Sequence, residues 1–541
     1  MTDIILIANA RRSPTAELQR ALGDVRLMSP QDFYASHAAD REQSYIYLPT
    51  ADGTLPDSAE TQRVLQHAAQ VSAGRFVLLS SAFVYGIGPG RQALVWEDYS
   101  LPGCESQKIC EQWRSLESLA VKLLSGGTIL TVLRVCPVAE PSVFPARLLS
   151  HGWTTTLPGH DPVFQFLSVA DLARAILCVL ERQACGTFNV APDNVVPLHQ
   201  AVRILGSIRL PFPRTLQRIT RGAECLEYLR YSWSISGEKM KRELGFVPQN
   251  SSVTALLQMR GGEAETKQAA GFDLFGMDKD YIRFYGKTLF KFLSEFYWRI
   301  EDRGMEYIPA QGRALLVGMH RGFMPFDGVM ALHTIVKKTG RYPRFLTHPG
   351  LLKFPFLANF MTKLGGVVAC QESADHVLAS NELLGIFPEG IHGAFSLYRD
   401  AYKLQGFGRD AFVKLALRHQ APIVPFVTVG SAEIFPIVGK IKSRRWTRYA
   451  GWPFIPITPT FPLAPVPLPS KWHTQFLPPI STEQYGPEAV EDRAVVRAIS
   501  REVRMAMQQA VDDMLARRKS VFFGSIFERS QDEGQSKPLP V

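Results

Sequence analysis

At 541 residues the chain is longer than one ordinary hydrophobic core supports, and 46% hydrophobic with 20% charged residues is a normal globular balance, so two folding units are expected. The formal charge of +10 and a pI near 9.2 point to an anionic partner, either lipid headgroups or nucleic acid. Seven cysteines (104, 110, 136, 178, 185, 225, 370) lack paired metal spacing, and no window reaches about eighteen uninterrupted apolar residues, which argues for reduced thiols, no metal and no membrane-spanning helix.

In the first half, apolar strands at Ile4–Ala8, Tyr45–Leu48, Phe76–Ser80 and Thr128–Val135 alternate with helical stretches such as Ala16–Leu22 and Thr61–Val71. That rhythm predicts a parallel, doubly wound sheet. The Phe76 strand runs on through Ser80-Ser81-Ala82-Phe83-Val84-Tyr85-Gly86, and Leu133-Arg134-Val135, Phe166–Ala173 and Gly186–Ala191 follow. Over about residues 1 to 250 these blocks resemble the extended short-chain dehydrogenase/reductase family of nucleotide-sugar epimerases, which implies a Rossmann-like fold.

That family uses a glycine-containing first turn so that backbone can approach a pyrophosphate at a helix N-terminus. Here Ala8-Asn9-Ala10-Arg11-Arg12-Ser13-Pro14-Thr15 contains no glycine. The resemblance also implies a tyrosine four residues before a lysine. Lys108 stands in the lysine place and Ser81 in the serine place, but Cys104 holds the tyrosine position, and a thiol does not supply the geometry of a phenol. Arg11 and Arg12 leave open an altered phosphate site. The domain expected over 1–258 is therefore degenerate and noncatalytic, with NAD(P) binding doubtful.

Residues 259–271 are small, polar and without hydrophobic period, as a linker is. Tyr281 to Ile300 then carries Ile282, Tyr285, Leu289, Phe292, Phe296 and Ile300 at helical spacing with Arg283, Lys287, Lys291 and Arg299 interleaved. This is a basic amphipathic helix, suited either to a headgroup region or to packing on its own domain. The apolar strand Ala314–Val317 delivers His320 into a loop, with Asp327 close behind, and a second strand, Leu383–Phe387, delivers Pro388-Glu389-Gly390. An imidazole suits the removal of a hydroxyl proton at neutral pH, and a carboxylate can fix its tautomer.

These blocks are followed by Tyr402–Arg409 and Ala421–Val427. In that order they resemble the glycerolipid (lysophosphatidate-type) acyltransferases over about residues 272 to 518. The resemblance implies His320 as base, Asp327 as its orienter, and Glu389 with Gly390 in the acceptor site, Glu389 binding hydroxyls or holding a basic partner. It departs from the commonest pattern at three points. Met319 precedes His320 with six residues before Asp327; Gln371 stands where an arginine often contacts phosphate; and Ile391-His392 replaces a common Thr-Arg. Phosphate ligands are then expected from Arg399, Lys403 and Arg409, because an arginine fork can donate two parallel hydrogen bonds.

Downstream, Lys440–Tyr449 mixes basic and aromatic residues ahead of a proline-rich stretch, which favours a lipid interface; no nucleic-acid motif accompanies it, and nucleic acid is not the expected partner. Val496, Ile499, Val503, Met507, Ala510 and Met514 mark a closing amphipathic helix in a domain spanning 272–520, and 521–541 is expected to be a largely disordered tail. The expected architecture is thus α/β throughout: an N-terminal Rossmann-like doubly wound parallel sheet plus a C-terminal α/β acyltransferase domain. The implied activity is transfer of a fatty acyl group from acyl-CoA or acyl carrier protein to a lipid hydroxyl, with a lysophospholipid such as 1-acylglycerol-3-phosphate as acceptor; the alternatives are an NAD(P)-dependent oxidoreductase or epimerase with a membrane-anchoring acyltransferase-like domain, and a noncatalytic lipid-binding scaffold. No cofactor is required for it. The expected location is cytoplasmic, peripheral on the cytosolic face of an anionic membrane.

Overall fold

The computed structural model describes residues 4–9, 13–36, 43–50, 55–88, 94–99, 108–211, 228–232, 234–261, 272–407, 410–463 and 466–527. Contacts divide the chain into two units: Met1–Met277 with Pro355–Asn359, and Asp278–Phe354 with Phe360–Val541.

The first unit is built on six parallel strands: β1 (Ile4–Ile7), β2 (Val25–Met28), β3 (Ser44–Tyr47), β4 (Arg75–Ser81), β5 (Ile129–Val135) and β6 (Gly186–Val190). Their order is β2-β1-β3-β4-β5-β6. The chain moves outward from β1 to β2, then crosses back to lay β3 on the other side, which is the reversal of a doubly wound sheet. Leu6, Ile46, Leu78 and Leu133 are fully buried, as expected of central strands covered on both faces. The polar residues of the epimerase-like blocks are engaged with one another. Arg134 grips Glu117 through Nε (3.1 Å) and Nη2 (2.8 Å) and donates to the Tyr85 hydroxyl at 2.7 Å, while Ser80 donates to Glu117 at 2.5 Å.

The second unit has a seven-stranded sheet: β7 (Glu301–Arg303), β8 (Ala314–Gly318), β9 (Arg344–Thr347), β10 (Gly366–Val368), β11 (Leu383–Ile386), β12 (Ile423–Val429) and β13 (His473–Phe476). The order is β7-β13-β12-β8-β11-β9-β10, parallel except between β12 and β13. The closing helix is Arg493–Arg517, and it buries Val496, Ile499, Val503, Met507, Ala510 and Met514. The first residues of the expected tail are held down: Val521 O accepts from Lys471 N at 2.8 Å, and Phe522 O from Arg299 Nη2 at 2.6 Å. Residues 528–541 lie outside the described residues.

The stretch Tyr281–Ile300 is not one helix. Helix Lys279–Lys287 stops at Thr288 (φ −118°, ψ −98°), a short turn covers Leu289–Lys291, and Phe292–Tyr297 is a π-helix in which Trp298 N donates to Leu293 O. The physical reason is tertiary. The added residue of a π-turn turns Phe290 and Leu293 inward and seats buried Trp298 against Trp472, ring centroids 4.5 Å apart. The consequence is that Phe284, Leu289, Phe292 and Phe296 are left exposed.

Candidate active site

The site forms at the carboxyl ends of β8 and β11. In the parallel register Val317 faces Ile386, so the loop after β8 (Met319-His320-Arg321) and the loop after β11 (Pro388-Glu389-Gly390) emerge side by side. Gly318 closes β8 beneath them. A Cβ there would lie 2.3 Å from the Phe426 ring and 2.6 Å from Phe387, so only glycine lets those rings pack over the strand end.

Asp327 sits in the first turn of helix Phe326–Thr339, where the helix dipole favours a negative charge. The six-residue spacing, reversed through Gly322 at φ +71°, still brings the pair together. Asp327 Oδ2 lies 3.0 Å from His320 Nδ1 and accepts from Arg321 N at 2.5 Å. The side chain of Asp327 is 1% exposed and that of His320 15%. A carboxylate only accepts, so Nδ1 carries the hydrogen and Nε2 keeps its lone pair for a substrate proton.

His320 opens on a cavity of about 260 Å³. Its wall is largely apolar, with Val329, Leu332, Phe345, Phe387, Phe412 and Trp452 prominent, and no acid, lysine or arginine is among its described lining residues. Gly390, at φ +54°, lines it as well. Such a space suits a hydrocarbon chain, with one polar group at its reacting end.

Arg321, which the sequence reading passed over, ties the two loops together. It is 1% exposed and grips Glu389 with Nη1 (2.8 Å to Oε2) and Nη2 (3.1 Å to Oε1). The same guanidinium donates to His320 O (2.6 Å), Lys403 O (3.0 Å) and Ala401 O. Glu389 also accepts from Gln405 N at 2.6 Å. Of the two roles left open for Glu389, its geometry is the one that holds a basic partner; it does not line the cavity. Gly393 permits this packing, since a Cβ there would come 2.7 Å from Glu389 Cβ. The signal available in sequence was only that an arginine follows the histidine.

Of the remaining candidates, Arg399 is exposed and paired with its neighbour Asp400 at 3.4 Å. Lys403 contributes its carbonyl to Arg321 while its side chain is exposed, and neither residue lines the cavity. Arg409 lies outside the described residues. A second histidine, His348, does line the cavity; its Nδ1 accepts from Gly350 N at 3.1 Å, and burial, helped by Lys353, pushes the imidazole below its ordinary value.

In the first unit, Ser81 Oγ accepts from Phe83 N at 3.3 Å and lines a cavity of about 70 Å³ at the carboxyl ends of β3, β4 and β5. Leu48, Phe83, Trp113, Val135 and Cys136 form much of its wall, and burial pushes the Cys136 thiol far up. Lys108 is exposed at the start of helix Lys108–Leu124 and does not line it. Arg11, Arg12 and Cys104 lie outside the described residues.

Comparison with known proteins adds four findings. Residues 299–429, which hold the whole His320 to Glu389 constellation, match the family described as Acyltransferase. An uncharacterized protein of Mycobacterium tuberculosis is 39% identical over 259 residues, 47% of this chain and 72% of that one. Phytyl ester synthase 2 of Arabidopsis thaliana is 29% identical over 143 residues, 25% of this chain and 20% of that one. Among solved structures, MoeE5 in complex with UDP-glucuronic acid and NAD aligns with 48% of this chain and 98% of its own at 16% identity, with a TM-score of 0.40. The chain thus belongs to one family with the mycobacterial protein; residues 299–429 of its second half match an acyltransferase family, and its first half is Rossmann-like in topology.

Proposed function

We propose that the second half moves a fatty acyl group from the thioester of acyl-CoA or acyl carrier protein to a lipid hydroxyl. The observation that carries this reading is the His320–Asp327 pair, 3.0 Å apart and opening on an apolar cavity. Nε2 of His320 takes the acceptor proton as the acceptor oxygen bonds to the thioester carbon. The carbon–sulfur bond then breaks, and the proton on Nε2 passes to the departing thiolate, leaving an ester and a free thiol. Asp327 holds the ring tautomer and stabilises the imidazolium between those two transfers. The acyltransferase match and the similarity to a protein named as an ester synthase support a hydroxyl acceptor.

A lysophospholipid acceptor such as 1-acylglycerol-3-phosphate, the expectation from the resemblance, requires a cation within reach of the site. Arg399 and Lys403 stand off the cavity. For the first half, the small apolar cavity supports a noncatalytic role without NAD(P). The exposed Phe284, Leu289, Phe292 and Phe296, with exposed Lys287 and Lys291 among them, support a peripheral seat on an anionic membrane. Among the described residues no helix is long and apolar enough to cross a membrane.

The test is acyl transfer from labelled acyl-CoA and acyl carrier protein by the full chain. General base catalysis contributes about 10² to 10⁴ in rate, so His320→Ala loses at least about a hundredfold while keeping its fold. Asp327→Asn loses less than His320→Ala, because an amide oxygen in the Oδ2 place still accepts from Arg321 N and His320 Nδ1 while the charge that stabilises the imidazolium is gone. Near wild-type turnover by His320→Ala would remove this residue from the mechanism.

A further inference from the structure

An acceptor hydroxyl has to enter the cavity to reach Nε2 of His320. In 1-acylglycerol-3-phosphate the phosphate is only two carbons from the hydroxyl that reacts, so it is drawn toward the apolar wall together with that hydroxyl. Away from water a phosphate needs a paired cation. Among the described lining residues there is none: besides His320, His348 and Thr347, the wall consists of apolar and glycine residues.

Among the described residues, the cations near the two loops do not supply the charge; Arg409 lies outside them. Arg321 follows the base directly, yet its guanidinium is buried, neutralised by Glu389, and spends its remaining donors on the carbonyls of His320, Ala401 and Lys403. Arg399 is 79% exposed and paired with Asp400. Lys403 is exposed and lines no part of the cavity. His348 faces the cavity with its Nδ1 accepting from Gly350 N, burial with Lys353 nearby disfavours its charged form, and Lys353 itself lines no part of the cavity. A neutral hydroxyl makes no such demand: its one hydrogen goes to Nε2 of His320, and its hydrocarbon lies against Leu332, Phe345 and Phe412.

Resting on the acyl-transfer reading above, we infer that the acceptor is an uncharged lipid alcohol, a mono- or diacylglycerol or a long-chain alcohol, and not a lysophosphatidate. The acceptor is selected by what the cavity lacks. A site whose described lining holds no lysine or arginine discriminates against the phosphate through the cost of leaving it unpaired.

The experiment uses 1-acylglycerol and 1-acylglycerol-3-phosphate, which share the acyl chain and the secondary hydroxyl, with transfer to that hydroxyl scored separately from transfer to the free primary one, plus hexadecanol as a third acceptor. Each is presented to the full chain in neutral detergent micelles at equal mole fraction, with acyl-CoA and acyl carrier protein as donors and His320→Ala as control. The expected result is His320-dependent transfer with kcat/KM at least about tenfold higher for 1-acylglycerol than for its phosphate. Transfer to hexadecanol alone supports the inference equally. Equal or preferred use of the phosphate overturns it and leaves acyl transfer standing. Absence of His320-dependent transfer to all three, with both donors, brings down the acyl-transfer reading and this inference with it.

Discussion

Replacing Glu389 by glutamine separates a structural carboxylate from one that contacts substrate. In the native site Arg321 is 1% exposed and its two terminal nitrogens meet both Glu389 oxygens, at 2.8 and 3.1 Å. Glutamine keeps the shape but leaves the guanidinium buried without its anion, and breaking one side of a buried pair costs about 3–5 kcal/mol. The three carbonyls that Arg321 also holds soften this, so the lower end, about 3 kcal/mol, is expected. For a unit of this size, about 2–4 °C per kcal/mol gives a fall in melting temperature of roughly 6–12 °C. Calorimetry or thermal unfolding followed by tryptophan fluorescence reads it, Trp298 and Trp472 being buried in this unit. The double variant Arg321→Met/Glu389→Leu is expected to recover much of the loss, because an apolar pair of similar volume leaves no charge stranded. Two results would refute the reasoning. One is a Glu389→Gln variant that melts within about 1 °C of wild type. The other is a variant that loses acceptor affinity with no loss of stability.

Three further expectations follow from other parts of the molecule. Burial holds His333 down to about 4, so in the folded state it resists protonation that the unfolded chain accepts near its ordinary value. Stability contributed by the neutral ring is therefore complete above about pH 6.5 and falls as the pH drops from there toward 4; His333→Gln should flatten that part of a pH series of urea midpoints, and an unchanged slope would contradict the assignment. Vesicle sedimentation should show binding to anionic lipid that weakens as salt shortens the reach of Lys287 and Lys291, and Phe292→Ser/Phe296→Ser should weaken it at least about tenfold; equal binding to neutral and anionic vesicles at every salt concentration would sink the membrane seat. Calorimetry of the full chain with NAD and NADP should give no heat of binding, because the cavity that Leu48, Phe83 and Trp113 line at the strand ends is small and apolar; micromolar binding would overturn the noncatalytic reading of the first half.

Sequence by itself determined what depends on near neighbours. Buried strands of a parallel sheet are continuous apolar runs, so β1, β3, β4, β5, β8 and β11 were legible within a residue or two, and the closing helix buries the residues its periodicity named. The His320–Asp327 pair was legible because both members belong to one strand-loop-helix segment. Strand β2 escaped notice, since Val25-Arg26-Leu27-Met28 is short, contains a charge and lies at the sheet edge. What only the tertiary structure decided lies between distant segments. Arg321 and Glu389 are 68 residues apart and meet because β8 and β11 pair in register; no local pattern marks a guanidinium that will be enclosed by carbonyls of a third segment. The same holds for the break at Thr288, where docking of Trp298 on Trp472 overrides a clean helical period and sends Phe292 and Phe296 outward. It holds most for the cavity, whose described walls, drawn from strands, helices and loops across the unit, include no acid, lysine or arginine. Periodicity reports which face of an element is buried, but parallel register and packing decide what that face meets.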